Sequence, residues 1–295
     1  MDRKHTKVLV LGVTGMLGST VFKSLVQDKA LDVFGTLRRE SGMNYFPETS
    51  RTQLIANVDV LDNDSLIEVM AAVRPDVVIN CIGLIKQLSD AQDPLFALPI
   101  NAMLPHRLAK LCSLVGARMI HISTDCVFSG RKGMYKEGDI SDAEDLYGKS
   151  KYIGELADLS HVVTLRTSII GHELNSNSSL VDWFLSQKGP VKGYKKAVFS
   201  GLPTVELARV IKDVVMPNSK LSGLYNVSSS PIDKYSLLKL VAETYGKEIE
   251  IIPTEQLIID RSLDSTYFKT ITNYSPKTWE ILVQKMFMSY EGSKP

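Results

Sequence analysis

The chain has 295 residues, 44% of them hydrophobic and 23% charged, with a formal net charge of +1 at pH 7. That is enough apolar material for one large α/β unit or two modest domains, and a charge so near zero offers no bulk field for nucleic acid or a membrane surface. No apolar run approaches the ~20 residues that span a bilayer; Met1–Lys7 lacks the apolar region and cleavage site of a signal peptide; and Cys81, Cys112 and Cys126 show no metal-ligand spacing, so a cytoplasmic protein with reduced thiols and no metal is expected.

Taken in chain order, a strand over Lys7–Leu11 runs into Gly12-Val13-Thr14-Gly15-Met16-Leu17-Gly18, which opens a helical pattern over Met16–Gln27. A strand, a glycine turn and a helix in succession let backbone N–H groups and the helix dipole hold a pyrophosphate. Gly12 suits the tight turn, Gly15 the close approach of the ligand and Gly18 the packing of helix on strand. Thr14, Met16 and Leu17 lie in the same turn and are counted with them as cofactor-binding.

A second strand, Asp32–Thr36, is followed by Leu37-Arg38-Arg39. Nicotinamide enzymes that use NAD place an acid here for the ribose 2′-hydroxyl, whereas arginine accommodates a 2′-phosphate. No acid stands between Val33 and Arg39, so Arg38 and Arg39 point to NADPH, with NADH as the alternative. A third strand over Leu54–Val58 leads to Asp59-Val60, placed for adenine or for capping. Asp62-Asn63-Asp64-Ser65 then caps a helix over Asp64–Val73. A fourth strand, Asp76–Asn80, delivers Cys81 and Gly83 to the cofactor ribose, with Cys81 read as a small packing residue. A helical pattern covers Ile100–Leu114, where Pro105 predicts a kink or a later start.

A fifth strand, Arg118–Ser123, ends in Thr124-Asp125. A helix follows over Tyr147–Leu159, then a sixth strand over Val162–Thr167. This alternation predicts a doubly wound parallel Rossmann sheet. After Thr167 the pattern changes. Residues 171–179 read as loop, Val181–Gln187, Val205–Val215 and Tyr235–Tyr245 as helices, 223–227 as a strand and 249–252 as a short apolar run. The expected division is an NADP-binding domain over 1–168 plus about 199–227, with a smaller C-terminal α/β substrate-binding lobe over 169–198 plus 228–295.

The pattern Y-x-x-x-K occurs three times, at Tyr147/Lys151, Tyr235/Lys239 and Tyr290/Lys294. Only the first follows the fifth strand and its terminal hydroxyl. On a helix, Tyr147 and Lys151 share a face. An ammonium ~5 Å from a phenol, at an effective dielectric of ~20, favours the phenolate by ~3 kcal/mol, which moves tyrosine about two pKa units toward neutrality. Such a phenol is a usable general acid. Thr124 would orient a substrate oxygen, and Lys151 would also hold the nicotinamide ribose. Asp125 is either a second acid or a brace for its loop, and His121 is read as a core residue.

These strings in this order resemble the extended short-chain dehydrogenase/reductases. Ile122-Ser123-Thr124-Asp125-Cys126-Val127-Phe128 is similar to the S-T-D-Y-V-F string of dTDP-4-dehydrorhamnose reductases, with Cys126 at the tyrosine. Leu165-Arg166-Thr167-Ser168, Pro203-Thr204 before Val205-Glu206-Leu207-Ala208, and Arg261-Ser262-Leu263-Asp264 extend the resemblance over nearly the whole chain. It implies reduction of the 4-keto group of a nucleotide-linked 6-deoxysugar for cell-surface polysaccharide. The sugar is either dTDP-4-dehydrorhamnose or a UDP-N-acetyl-4-keto-6-deoxyhexose. Thr124, Tyr147 and Lys151 would be catalytic. Lys86, Thr124, Asp125 and Arg261 would touch substrate, and the protein would be a monomer or homodimer. Two other readings are an epimerase or dehydratase with tightly bound NAD, and a non-catalytic NADP-binding regulatory subunit.

Overall fold

The computed structural model describes residues 5–84 and 92–292, and they fold into two compact units. The first comprises Met1–Ser123, Asp145–Leu165 and Ala208–Leu224. Its strands are β1 (Thr6–Leu11), β2 (Leu31–Thr36), β3 (Leu54–Ile55), β4 (Val77–Asn80), β5 (Arg118–Thr124) and β6 (Val162–Thr167). With the late strand Gly223–Asn226 they form a seven-stranded sheet in the order Gly223–Asn226, β6, β5, β4, β1, β2, β3. β1 pairs in parallel with both β2 and β4, and β4 with β5. The order reverses between β1 and β4, the point at which open α/β sheets bind ligands beyond their strand C-termini.

Parallel strands covered on both faces need continuous rather than alternating apolar runs. β4 and β6 are buried at every position, and β1 over its last four. The expected doubly wound sheet is present, with β1, β2, β4, β5 and β6 within a residue of their predicted bounds. β3 is shorter than the expected Leu54–Val58 because Asn57 takes a left-handed φ of 62°, which breaks the extended run. The side chain of Asp62 accepts from the Asp64 amide and caps the helix Asn63–Val73.

Pro105 acts as the sequence implies. The α-helix Leu104–Val115 carries it in its first turn, and the turns before it, Leu98–Met103, are π-helical. That π segment receives the helix Leu146–Ile153, which stops earlier than the expected Leu159. Where it ends the packing is close, and a Cβ on Gly154 would lie 2.1 Å from the Asn101 carbonyl oxygen. Beyond it, Leu156 exchanges hydrogen bonds with the Thr164 hydroxyl as the chain turns toward β6.

The second unit comprises Thr124–Glu144, Arg166–Leu207 and Tyr225–Pro295. It is stitched from short ladders. Ala197–Phe199 lies between Ile232–Asp233, antiparallel, and Ile259–Asp260, parallel. Val191–Tyr194 pairs in parallel with Ile251–Thr254, and Ile169–Ile170 with Leu202–Pro203. The helices Leu180–Ser186, Lys234–Tyr245, Thr266–Thr272 and Trp279–Glu291 complete it.

Sequence alone assigns 124–144 and 199–207 to the nucleotide-binding domain; in the structure both segments belong to the second unit. For 124–144 the cause is a small buried cluster of Val127, Phe128, Tyr135 and Leu263, in which the Phe128 and Tyr135 rings stack 4.1 Å apart. The Tyr135 amide donates to the Ser262 carbonyl, and the Asn226 side chain donates to the Tyr135 carbonyl. Residues 199–207 follow Ala197–Phe199, the central strand of a ladder in the second unit. No described helix is long and apolar enough to cross a membrane.

The fit at Gly154 is tested by Gly154→Ala. Forcing a methyl group against a backbone carbonyl costs about 1–3 kcal/mol. A thermal scan should show Tm lowered by several degrees.

Candidate active site

The C-terminal edge of the first unit's sheet collects most of the expected cofactor residues. Gly12 takes a φ of +83°, a conformation open chiefly to glycine, and a side chain there would also strike Ile82. Its amide faces the Thr36 hydroxyl at 3.4 Å, and the Val13 amide donates to the Thr36 carbonyl. A Cβ on Gly18 would lie 2.1 Å from the Gly12 carbonyl oxygen, so only glycine lets the helix Met16–Val26 sit this close to β1. Gly15 is the N-cap residue. It is exposed, and no side chain caps this helix end. The first-turn N–H groups at Met16, Leu17 and Gly18 are therefore of the kind an anion satisfies, and the dipole adds to their pull. Thr14 packs toward Gly42, where a Cβ would meet its methyl group at 2.8 Å.

Arg38 and Arg39 follow β2 as exposed residues at this same edge, and Arg39 caps the 3-10 turn Glu40–Tyr45. Asp59 and Val60 leave β3 nearby. Asp59 accepts from the Leu61 amide at 2.9 Å in a local turn, and Val60 packs against the core. Cys81 and Gly83 leave β4. Burial pushes the Cys81 thiol up to about 12, against the Lys151 charge, which removes it as a nucleophile.

Lys151 is buried, and its ammonium donates to the Ile122 carbonyl at 2.9 Å. Burial lowers it to about 8, while the charge of Glu155 opposes that fall. A Cβ on Gly83 would stand 3.6 Å from its nitrogen, so the end of β4 and Lys151 adjoin. Tyr147 stands one turn before Lys151 on the same helix, partly exposed, with the Asp145 side chain capping the helix through the Gly148 amide at 2.8 Å. Asn101, from the π turn, ties the arrangement together. Its Oδ1 accepts from the Leu84 amide at 2.9 Å, and its Nδ2 donates to the Ser150 hydroxyl at 3.2 Å. His121 is fully buried beside Asn80, whose amide donates to its Nδ1 at 3.1 Å, and burial holds the imidazole neutral.

Thr124, Asp125 and Arg261 belong to the second unit. The Thr124 hydroxyl accepts from the Cys126 amide at 3.1 Å and donates to the Asp125 carboxylate at 3.2 Å. Burial pushes the Asp125 carboxyl above the usual range, against the Arg261 charge and hydrogen bonds from Cys126, Thr124 and Ser168. Asp125 thus braces its own loop. Arg261 donates through Nε to the Phe128 carbonyl at 2.8 Å. Lys234, which the sequence reading passes over, lies in the same electrostatic group. Burial and Arg261 lower its pKa, and Asp125 and Cys126 raise it. Lys86 lies outside the described residues. Among the described residues no group of three His, Cys, Asp or Glu side chains is placed to hold a metal ion. Glu155 and Ser123 are further residues that sequence reasoning missed. The signal for Glu155 was its place four residues after Lys151.

A family model described as RmlD substrate binding domain matches residues 6–291. Methionine adenosyltransferase 2 subunit beta of Bos taurus is 31% identical over 157 residues, 53% of this chain and 44% of that protein, so the matched stretch spans less than half of that relative. The probable low-salt glycan biosynthesis reductase Agl14 of Haloferax volcanii is 28% identical over 228 residues, 76% of this chain and 70% of that one. Among solved structures, the dTDP-4-dehydrorhamnose reductase of Bacillus anthracis in complex with NADP has a TM-score of 0.79 at 19% identity, covering 97% of this chain and 100% of that chain. At that identity the likeness is one of fold.

The same desolvation that silences Cys81 holds Cys112 and Cys126 at about 12. A thiol-exchange reagent at pH 8 should modify all three much more slowly in the folded protein than in denaturant, Cys112 slowest because it alone is fully buried. Rapid native reaction of Cys81 would show a thiolate where burial forbids one.

Proposed function

As the chain belongs to the RmlD substrate binding domain family, we propose that it is an NADPH-dependent reductase of the 4-keto group of a nucleotide-linked 6-deoxysugar. The observation that carries this reading is the buried Lys151 ammonium at the ends of β4 and β5, one helical turn from Tyr147 and beside a glycine turn suited to a pyrophosphate. The named relatives support it: one is called a glycan biosynthesis reductase, another a dTDP-4-dehydrorhamnose reductase with NADP.

The residues fit the cofactor. Gly12, Gly15 and the first-turn amides after it would hold the pyrophosphate, and Arg38 and Arg39 the 2′-phosphate. Asp59 and Val60 would meet the adenine, and Cys81, Gly83 and Lys151 the nicotinamide ribose. When bound, NADPH supplies the hydride that the carbonyl carbon accepts. The protein's part is the proton. Tyr147 donates it to the carbonyl oxygen as the C–O double bond becomes a single bond, and the phenolate left behind recovers a proton from solvent. The Lys151 ammonium stabilises that phenolate. The Thr124 hydroxyl turns its proton from Asp125 to the substrate oxygen and fixes the carbonyl's orientation. Arg261 and Lys86 would contact the nucleotide diphosphate or the sugar. The substrate class is dTDP-4-dehydrorhamnose or a UDP-linked N-acetylated analogue, and light scattering would separate the monomer from the homodimer.

The test is NADPH oxidation on a panel of dTDP- and UDP-linked 4-keto-6-deoxysugars. Tyr147→Phe should lower kcat by about 10²- to 10⁴-fold with NADPH affinity unchanged. The similarity to a protein named as a subunit favours a second reading, an NADP-binding subunit without turnover. Unchanged behaviour of Tyr147→Phe in every assay, with NADPH still bound, would select that one.

Arg38→Ala should raise the KM for NADPH by about 10- to 100-fold while moving that for NADH little, the loss of one charge-assisted hydrogen bond. Tighter binding of NADH than NADPH by the unaltered protein would refute the assignment of the arginines.

A further inference from the structure

Two consecutive residues of β5 reach the helix Leu146–Ile153 and the turn that ends it. The Ile122 carbonyl accepts from the Lys151 ammonium at 2.9 Å. The next residue, Ser123, is buried and donates its hydroxyl to the Glu155 carboxylate at 2.6 Å. Such a short O–H···O⁻ contact is a charge-assisted bond that localises the carboxylate. Glu155 follows Lys151 by four residues, and its backbone amide donates to the Tyr152 carbonyl, so the chain still turns here as a helix does. The two side chains end on neighbouring residues of one strand.

We propose that Glu155 is a positioning residue: anchored by Ser123, its carboxylate is the counter-ion that keeps the buried Lys151 ammonium charged and directed along β5. This rests on the role given to Lys151 above, but the arrangement is a property of the protein without ligands. A lone ammonium buried at this depth sheds its proton unless an opposite charge compensates. The other groups that face Lys151 do not supply one. Cys81, at the end of β4, is a protonated thiol because burial pushes it to about 12. His121, on β5, is neutral. Tyr147, one turn earlier on the helix, carries no carboxylate, and Asn101, beside Ser150, carries no charge. Glu155 is the carboxylate whose charge acts most strongly on Lys151.

The experiment is an NMR titration of the full-length protein, free of substrate and cofactor and carrying 13Cε-lysine, with the Lys151 resonance identified by its loss in Lys151→Arg. The unaltered protein should titrate near pH 8. Glu155→Gln should bring the midpoint down by about one unit or more, and Glu155→Asp should restore part of the shift. Ser123→Ala keeps the carboxylate but removes this hydrogen bond, and should give a smaller fall. If Glu155→Gln does not fold, Ser123→Ala decides. An unmoved midpoint in a folded variant overturns the proposal and leaves Glu155 as a structural tie. Because the readout needs no turnover, it is independent of whether a 4-keto sugar is ever reduced. If turnover is found, the alkaline limb of kcat/KM should move with the midpoint, which a purely structural tie would not cause.

Discussion

A lysine ammonium held inside protein is the constraint on which the first unit's working edge depends. Lys151 has little water to solvate it, so the surroundings must provide what water would. A β5 carbonyl receives one N–H, and a carboxylate four residues on supplies the opposing charge. Each demand fixes something else. The helix must therefore bring Lys151 within reach of the Ile122 carbonyl. Gly154 has to lack a side chain, so that the helix can close on the π turn. Asn101 then locks that turn to both Leu84 and Ser150. A polar network of this kind specifies one arrangement because every alternative strands a buried donor or charge.

The glycine turn obeys a different rule. There the requirement is space and free amides rather than charge. Gly18 has no side chain because the Gly12 carbonyl occupies that place, and the helix begins at Gly15 with no side-chain cap. The two sites share one edge through the parallel sheet. β1 and β4 are neighbours in register, so the turn after Leu11 and the loop after Asn80 emerge side by side.

The second unit is held differently. Its ladders are two to four residues long, and each depends on a segment far away in the chain. Its order comes from side chains that reach back, such as Asn226 and Ser228, which bond residues 135 and 263–265. Thr124 and Asp125 form a self-braced corner, with the hydroxyl already satisfied by Asp125 and Cys126. The corner is therefore preorganised, and presenting its proton to another oxygen requires only a rotation.

Sequence by itself determined the parallel sheet and the glycine turn. It also picked out one Tyr/Lys pair among three. Those features are local: apolar runs, i to i+4 spacing and glycine positions survive without knowledge of the fold. The C-terminal helix was equally legible in principle, since Trp279, Leu282, Val283 and Met286 keep the helical period and are its buried face. Only the tertiary structure decided that Thr124–Glu144 belongs with Leu263, that short strands at 197–199 and 259–260 pair, and that Ser123 and Glu155 meet. Each of these joins residues by burial and by hydrogen bonds whose partners are 30 or more positions apart. No local pattern encodes such pairings, because their energy exists only once water has been excluded from between them.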